Sequence, residues 1–370
     1  MSRPLRLLIT ADAVGGIWQY ATDLARGLLP LGIEPIIASL GPSPSAAQRR
    51  SVDTKVALID TGQPLDWLAG RPAEVLRAGE AIAALAEQLE VDLVQLNTPA
   101  LAAGEAFGVP TVAVAHSCVA TWWAAVKDGA LPADLAWRAG LHARGLVAGD
   151  RVVAPSAAFA ESTRRAYGLP IAPTVVHNGR RALAAASSAQ HDCALTVARL
   201  WDPGKNAGVL DAAAESLPFP FYAAGPCTGP NGDAIELRHA HALGAIDERQ
   251  LGLRLAAGPV FASAALYEPF GLAVLEAAAA GCPLVLSDIP TFRELWSGVA
   301  AFIAPDDAAG FAEAIGLIVE DNFARAEMGR RSRARAALYS VEAMAARMAA
   351  IYRDMAAVPA AASRPAMVAA

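Results

Sequence analysis

The chain has 370 residues, and at about 150 residues per domain this length predicts two domains. A formal net charge of −6 excludes the basic surface that nucleic-acid binding requires, and 55% hydrophobic residues exclude disorder over most of the chain. We expect neither a signal peptide nor a transmembrane helix, because no run of about 18 apolar residues occurs. The four cysteines are widely scattered, which favours reduced thiols in a cytoplasmic protein.

Short apolar runs alternate with helix-like segments through the first half of the chain. The runs are rich in Val, Ile and Leu, as buried parallel strands are. The predicted strands are Leu5–Thr10, Pro35–Leu40, Val56–Ile59, Asp92–Leu96, Thr111–Ala115 and Arg151–Ala154. The helices predicted between or after them include Ile17–Leu29, Ala73–Leu89 and Ala157–Tyr167. This alternation predicts a parallel sheet with crossover helices, as in a Rossmann-like domain.

The pattern restarts after a polar, Ala-rich stretch, Arg180–Gln190, which we interpret as a linker. The second series has predicted strands at Ala194–Ala198, Phe219–Ala224, Pro259–Ala262 and Leu284–Ser287, and helices at Phe311–Glu320, Phe323–Leu338 and Val341–Met355. We therefore predict an α/β protein with two Rossmann-like domains, residues 1–177 and 178–338, facing each other across a cleft. Residues 339–357 are predicted to form a helix that returns to the first domain, and residues 358–370 a flexible tail.

The loops that follow strands are the expected ligand sites, because open α/β sheets bind ligands beyond the carboxyl ends of their strands. After the first strand, Gly15 and Gly16 open a helix and would let the backbone approach an anion closely. A plain tight turn explains the pair equally well, and the spacing is not that of a G-x-G-x-x-G fingerprint. His116 follows the fifth strand, where a ligand contact and a structural role are both open.

Two cations flank a Pro-Gly turn after the first strand of the second series. Arg199 and Lys205 lie near the start of a helix, and together with helix N–H groups they would suit a diphosphate. Two solvated surface charges are the alternative. The chain contains only three lysines, which favours a function for Lys205.

The most specific pattern is a pair of glutamates eight positions apart. Glu268 follows a strand, and Gly271 then opens a helix whose N–H groups near Leu272 are available to a phosphate or a sugar oxygen. Glu276 lies inside that helix among apolar residues, where a carboxylate is costly unless it is paired or holds a ligand. Both a polyhydroxyl-binding pair and a buried ion pair that stabilises the fold remain open.

These residues resemble the E-x7-E motif of retaining GT-B glycosyltransferases, particularly glycosyltransferase family 4. Further segments occur in the order that this family shows: the glycine pair, Val176–Gly179, Arg199 with Lys205, Asp247–Leu251 and Ser287–Glu294. The resemblance extends over residues 5 to 355 and is strongest in the second half. It implies the GT-B fold, with the acceptor bound by the first domain and the nucleotide sugar by the second.

The resemblance also implies a role for each candidate residue in binding a nucleotide sugar. Glu268 would contact hydroxyls of the donor sugar, Glu276 would hold the nucleotide ribose, and His116 would line the sugar site.

The remaining candidates are implied to act on the diphosphate. Arg199 and Lys205 would stabilise the leaving diphosphate, Gly15 and Gly16 would approach it, and the backbone of Phe270–Leu272 would contact the phosphate or the sugar.

The activity implied is that of a retaining hexosyltransferase that uses a UDP- or GDP-sugar. No cofactor or metal is expected, and the chain has no Asp-x-Asp motif. The acceptor would be a carbohydrate, a lipid-linked sugar or a small molecule. A sugar-nucleotide epimerase on the same frame is the alternative. An oxidoreductase is disfavoured by the missing fingerprint, and a catalytically silent sensor by the complete set of candidate residues.

An arginine cluster near the C-terminus, between Arg325 and Arg335, would suit contact with acidic lipid at the inner face of a membrane. A solvated helix face is the favoured interpretation of this cluster, and lipid contact is the alternative.

Overall fold

The computed structural model describes residues 3–104, 107–183, 190–230 and 232–357. The first half forms one parallel sheet of strands β1 to β7, which are Leu5–Asp12, Ile33–Leu40, Ala57–Asp60, Leu93–Leu96, Thr111–Val114, Arg151–Ala154 and Thr174–Val175. Their order across the sheet is β3-β2-β1-β4-β5-β6-β7. Helices α1 to α6 connect them: Gly16–Leu28, Ala46–Ser51, Pro72–Gln88, Val119–Val126, Ala133–Ala148 and Ala157–Tyr167.

The second half forms another parallel sheet, of strands β8 to β13: Ala194–Val197, Phe221–Ala224, His241–Gly244, Val260–Ser263, Leu284–Ser287 and Ala300–Ile303. Their order is β10-β9-β8-β11-β12-β13. The accompanying helices α7 to α12 are Ala207–Glu215, Glu248–Ala256, Leu272–Ala280, Pro290–Trp296, Ala308–Glu320 and Asn322–Ala336, and α13, Val341–Ala357, ends the described chain. The prediction of two Rossmann-like domains is thereby confirmed.

The last helix, α13, lies against the first domain although it follows the second in sequence. Its buried residues Met344, Met348 and Tyr352 belong to the same apolar core as Leu24 and Leu28 of α1. The chain therefore crosses between the domains twice, once before β8 and once before α13.

The candidate loops lie where strand order reverses in each sheet. In the first sheet the reversal is between β1 and β4, and in the second it is between β8 and β11. The glycine pair follows β1, Arg199 follows β8 and Glu268 follows β11. Because ligands bind at such points in open α/β sheets, the topology gathers residues from distant parts of the sequence at one cleft.

Three strands were not predicted from the sequence: Thr174–Val175, His241–Gly244 and Ala300–Ile303. Each forms an edge of its sheet. β7 has only two residues and β10 begins at an exposed histidine, so neither shows the continuous apolar run by which the central strands were recognised, whereas the apolar run at Ala300–Ile303 was missed. The predicted tail over residues 358–370 lies outside the described residues.

Gly179 marks the point where the two crossings touch. A Cβ atom at Gly179 would lie 2.1 Å from the carbonyl oxygen of Ser340, a backbone atom that cannot move alone. We expect Gly179→Ala to separate the two crossing segments and to lower the free energy of unfolding by about 1–3 kcal/mol. Chemical denaturation followed by circular dichroism measures this change.

Gly208 of α7 provides the control, because a Cβ at this position would meet no atom within 4 Å. Gly208→Ala should leave stability unchanged or raise it by about 0.5–1 kcal/mol through helix propensity. An unfolding midpoint for Gly179→Ala equal to that of the wild type would contradict the close contact.

Candidate active site

The loop at Gly15 and Gly16 of the first domain, called the glycine loop, faces the loop that carries Arg199 and Lys205 in the second domain. Asp12, at the end of β1, holds the glycine loop by accepting hydrogen bonds from the N–H groups of Val14 and Gly15 at 2.9 and 3.0 Å. A Cβ at Gly15 would lie 3.9 Å from Arg199 Nη1, and one at Gly16 would lie 3.2 Å from Leu272 Cδ1. A side chain at Gly16 would therefore crowd Leu272, whereas the contact at Gly15 is an ordinary one, and both distances show how closely the domains approach.

The two predicted cations are both engaged with carboxylates. Lys205 Nζ donates to Glu268 Oε2 at 2.7 Å, and both side chains are largely buried. Arg199 Nη2 donates to Asp202 Oδ2 at 3.1 Å and is about half exposed. The other oxygen of Asp202 accepts from Trp122 Nε1 at 3.0 Å, so this carboxylate orients Arg199 and also contacts the first domain. The alternative of a solvated surface charge is therefore wrong for Lys205, which is held in a specific ion pair.

The loop that carries Glu268 packs against the first domain and is hydrogen-bonded to it. The hydroxyl of Tyr267 lies 2.8 Å from Thr121 Oγ1 and 3.1 Å from Ser117 Oγ. Ser156 Oγ, at the start of α6, donates to the carbonyl of Pro269 at 2.7 Å. These hydrogen bonds fix the glutamate loop against the domain that carries the glycine loop.

The turn into α9 positions backbone N–H groups at the cleft. Gly271 has a φ of 92°, a left-handed conformation that favours glycine, and α9 begins at the next residue. The side chain of Phe270 is buried in the core against His177 and Tyr339, so only its backbone can contact a substrate. Leu272 contributes the side chain that faces Gly16.

Glu276 is held by an arginine that sequence analysis placed in a linker. Arg180 Nε donates to Glu276 Oε1 at 2.6 Å, and both side chains are buried. The buried ion pair considered from the sequence is therefore present. The prediction of a soft linker over Arg180–Gln190 is wrong at its first residue, because Arg180 is only 7% exposed. Residues 184–189 lie outside the described part of the chain.

A buried amide network fixes the orientation of His116. Asn97 Nδ2 donates to the carbonyl of Thr10, and Asn97 Oδ1 accepts from Gln95 Nε2 at 2.9 Å. Asn97 Oδ1 is therefore an acceptor, so His116 Nε2, 3.0 Å away, carries the proton. Tyr352 of α13 donates in turn to Gln95 Oε1. Nδ1 of His116 is left with a lone pair and can accept a hydrogen bond from a substrate hydroxyl.

Burial controls the protonation of His116. Desolvation lowers its pKa to about 3, and its ring packs edge-on against Tyr20 with 4.4 Å between centroids. Above about pH 4 the imidazole is therefore neutral. Asn97 and Gln95 were missed from the sequence, although polar residues at the end of a buried strand are a recognisable signal.

The C-terminal arginine cluster makes local and intradomain contacts. Arg325 is buried and bonds to Asp192 and to the carbonyls of His191 and Gly258. The others donate to Glu327 or to backbone carbonyls of the second domain: Arg330, Arg331, Arg333 and Arg335. The prediction of a solvated helix face is wrong for Arg325, which is buried, whereas Arg330 and Arg331 are exposed.

The described residues contain neither a membrane-spanning helix nor a cluster of metal-ligating side chains. No helix in residues 3–104, 107–183, 190–230 or 232–357 is long and apolar enough to cross a membrane. Over the same ranges, no group of three or more His, Cys, Asp or Glu side chains is arranged to hold a metal ion.

Comparison with protein families identifies both halves of the chain. Residues 14–181 match the family model for Glycosyltransferase Family 4, and residues 234–335 match that for Glycosyl transferases group 1. The chain is 31% identical over 172 residues to phosphatidyl-myo-inositol mannosyltransferase of Mycolicibacterium smegmatis, a match that covers 44% of this chain and 45% of that relative. It is 38% identical over 103 residues to glycogen synthase of Mycobacterium tuberculosis, covering 27% and 24%. The matched segments thus span less than half of these curated relatives.

Solved structures match over nearly the whole chain. Sucrose-phosphate synthase from Thermosynechococcus elongatus has a TM-score of 0.77 at 20% identity, covering 95% of this chain and 99% of that one. Anabaena Alr3699/HepE in complex with UDP-glucose has a TM-score of 0.72 at 18% identity, covering 95% and 100%. At such identities the likeness establishes a common fold. Together with the two family matches, it shows that this chain belongs to the group 1, family 4-like glycosyltransferases and has their GT-B architecture.

Proposed function

We propose that this protein is a retaining hexosyltransferase that moves a hexosyl group from a nucleoside-diphosphate sugar to an acceptor hydroxyl without a metal. The observation that carries the proposal is the meeting of the two loops in the cleft, where the backbone of Gly15 lies beside Arg199 and that of Gly16 beside Leu272. A helix start, a backbone free of side chains and fixed cations are the features that a diphosphate group needs.

The cations and α9 supply the electrostatic part of catalysis. Negative charge accumulates on the diphosphate as its bond to the sugar breaks. Lys205, Arg199 and the N–H groups at the start of α9 stabilise that charge from fixed positions in a partly closed cleft. These groups provide the charge compensation for which other glycosyltransferases use a metal.

The sugar-facing groups are His116 and Glu268. His116 Nδ1 accepts a hydrogen bond from a sugar hydroxyl, and Glu268 Oε1, which accepts none from the described residues, binds others. The acceptor oxygen forms its bond to the anomeric carbon on the face from which the diphosphate leaves. Configuration is retained because attack and departure occur on the same face. The leaving phosphate oxygen takes the acceptor proton. Glu276 is a poor nucleophile for a double displacement, because Arg180 already holds it.

Known relatives support a nucleotide-sugar donor and a transferase rather than an epimerase. One structural neighbour was solved with UDP-glucose, and one curated relative is named a phosphatidyl-myo-inositol mannosyltransferase. We propose a UDP- or GDP-hexose as the donor, and a carbohydrate, lipid-linked sugar or small molecule as the acceptor. The arginine cluster at Arg325–Arg335 adds little to a proposal of membrane contact, because most of its guanidinium groups bond to the protein.

A ligand panel tests the donor site directly. We expect UDP or GDP, but not NAD, to raise the melting temperature equally in EDTA and in magnesium. A ligand at about 100 times its Kd adds roughly 2.7 kcal/mol of stability, which differential scanning fluorimetry detects. A shift with NAD alone, or none with any nucleoside diphosphate, would overturn the proposal. The anomer first released when the donor sugar is hydrolysed, observed by NMR, tests retention.

Removal of the lysine charge should slow turnover strongly. We expect Lys205→Ala to reduce kcat for donor hydrolysis by about 10²-fold or more, because the charge that develops on the diphosphate loses one of its two proposed cations. Release of the nucleoside diphosphate from the preferred nucleotide sugar provides the assay. Lys55→Ala, which removes an exposed lysine, is the matched control and should retain full activity. Normal turnover by Lys205→Ala would remove the assignment.

His116 should act as a neutral hydrogen-bond acceptor. Because burial lowers its pKa to about 3, the imidazole gains a proton only near pH 3 and contributes no limb to the kcat/KM profile between pH 5 and 9. We expect His116→Ala to lower kcat/KM for the sugar donor at least tenfold, with the Kd of the free nucleoside diphosphate within about twofold. An equal loss in kcat/KM for the sugar donor and in affinity for the free nucleoside diphosphate would contradict a position of His116 at the sugar. His239→Ala, at an exposed histidine, is the control.

A further inference from the structure

One buried arginine joins carboxylates from three helices at the crossing between the domains. Arg180 Nη1 donates to Asp23 Oδ2 of α1 at 2.7 Å, and Nη2 donates to Glu248 Oε1 of α8 at 2.6 Å. Its Nε donates to Glu276 Oε1 of α9 at 2.6 Å. The Arg180 side chain is 3% exposed. This guanidinium therefore links the first domain to the helix that begins at the proposed phosphate site.

The contact leaves one oxygen of Glu276 available. Oε1 is occupied by Arg180, whereas Oε2 accepts no hydrogen bond from the described residues. The Glu276 side chain is 9% exposed, so it is not fully enclosed. A ligand hydroxyl can therefore reach Oε2 while Arg180 stays in place.

The charge on Glu276 depends on Arg180. Burial raises the pKa of Glu276, the positive charge of Arg180 opposes this, and the negative charges of Glu248 and Asp23 raise the pKa further. Arg333, on the neighbouring α12, donates to the carbonyl of Ala280 at the end of α9. Arg180 is thus the cation in hydrogen-bond contact with Glu276, and without it the carboxyl would hold its proton to higher pH.

Asp23 connects the same arginine to the glycine loop. It lies about two turns into α1, the helix that opens at Gly16, and is 2% exposed. Arg180 therefore joins the helix behind the diphosphate loop to the helix that carries Glu276. These two helices belong to different domains, and their relative position determines the distance between the loop at Gly15 and Gly16 and the carboxylate of Glu276.

We propose that Arg180 is a positioning residue of the donor site, which holds Oε1 of Glu276, leaves its Oε2 for the ribose hydroxyls of a nucleoside diphosphate, and ties that carboxylate to α1. This inference rests on the proposed function. Arg180 does not itself touch the ligand. A merely structural ion cluster would change stability alone, whereas a positioning role changes the recognition of the ribose hydroxyls and its dependence on pH.

The neighbouring arginine is a matched control within the same cluster. Arg181 Nη2 donates to Glu248 Oε2 at 2.7 Å, and its Nε lies 3.6 Å from Asp23 Oδ1. It has no contact with Glu276. Arg181→Met therefore removes one positive charge from the same cluster and leaves the contact under test intact.

The test compares wild type, Arg180→Met and Arg181→Met by isothermal titration calorimetry. The ligands are the nucleoside diphosphate that stabilises the wild type most and its 2′,3′-dideoxy counterpart, between pH 6 and 9. The Kd of the dideoxy ligand divided by the Kd of the ribonucleotide, called the Kd ratio, measures the contribution of the ribose hydroxyls. The phosphates and the base are the same in both ligands. Titration of the phosphates also cancels in this ratio.

In Arg180→Met we expect the Kd ratio at pH 7 to fall about tenfold relative to the wild type, the loss of one charged hydrogen bond. The ratio should recover as pH rises, because Glu276 with a higher pKa regains its charge only in more alkaline solution. The midpoint of this pH dependence should lie above that of the wild type. Arg181→Met should match the wild type in both respects.

A second variant covers the case in which the unpaired carboxylates prevent folding. Arg180→Met/Asp23→Asn removes the cation together with one carboxylate, so fewer buried charges lack a partner, and it should show the same lowered ratio. The inference would be overturned if the folded Arg180 variants had the Kd ratio and the pH midpoint of the wild type, or if Arg181→Met lowered the Kd ratio as much as Arg180→Met does. Either result would leave the proposed function intact. Failure of the wild type to bind any nucleoside diphosphate would overturn both.

Discussion

The arrangement of the two domains depends on one buried carboxylate. Glu276 lies in α9, whose other buried residues are apolar, and an uncompensated charge there would cost several kcal/mol. Arg180 offsets that cost, but its own burial demands further acceptors, which Asp23 and Glu248 supply. Charges from α1, α8 and α9 therefore converge at the point where the chain passes between the domains. The ion cluster fixes the position of the second domain relative to the glycine loop of the first.

Much of the fold follows from local patterns. Central parallel strands are buried on both faces, so they read as continuous apolar runs, and the loops after them are where ligands bind. Gly15 and Lys205 were identified from such loops, and the structure places both loops at points where strand order reverses. The resemblance of Glu268 and Glu276 to a family motif added the implied assignment of the acceptor to the first domain and the nucleotide sugar to the second, which periodicity alone left open. The edge strand β10 was not predicted, because its exposed residues interrupt the continuous apolar run that identifies a central strand.

The partners of the candidate residues could not be inferred in the same way. Arg180 and Glu276 are 96 positions apart, and Tyr352 is 257 positions from Gln95, which it contacts. No local spacing connects such residues, and an arginine before an Ala-rich stretch has the composition of a linker. The cost of burying Glu276 predicted that it needs a partner, but only the folded chain identifies that partner. The tautomer of His116 likewise depends on Asn97 and its neutral state on burial, and neither contact exists before the chain folds.

The cations proposed to bind the diphosphate already have carboxylate partners. These partners affect how much more strongly the site stabilises the transition state than the bound donor. Lys205 is paired with Glu268, and Arg199 with Asp202. A diphosphate that enters the cleft must share these cations with the carboxylates, so part of the Coulomb energy is cancelled. A diphosphate still bonded to its sugar carries less negative charge than the one released. The exchange of partners therefore becomes more favourable as the bond breaks, and the stabilisation is greater in the transition state than in the bound donor.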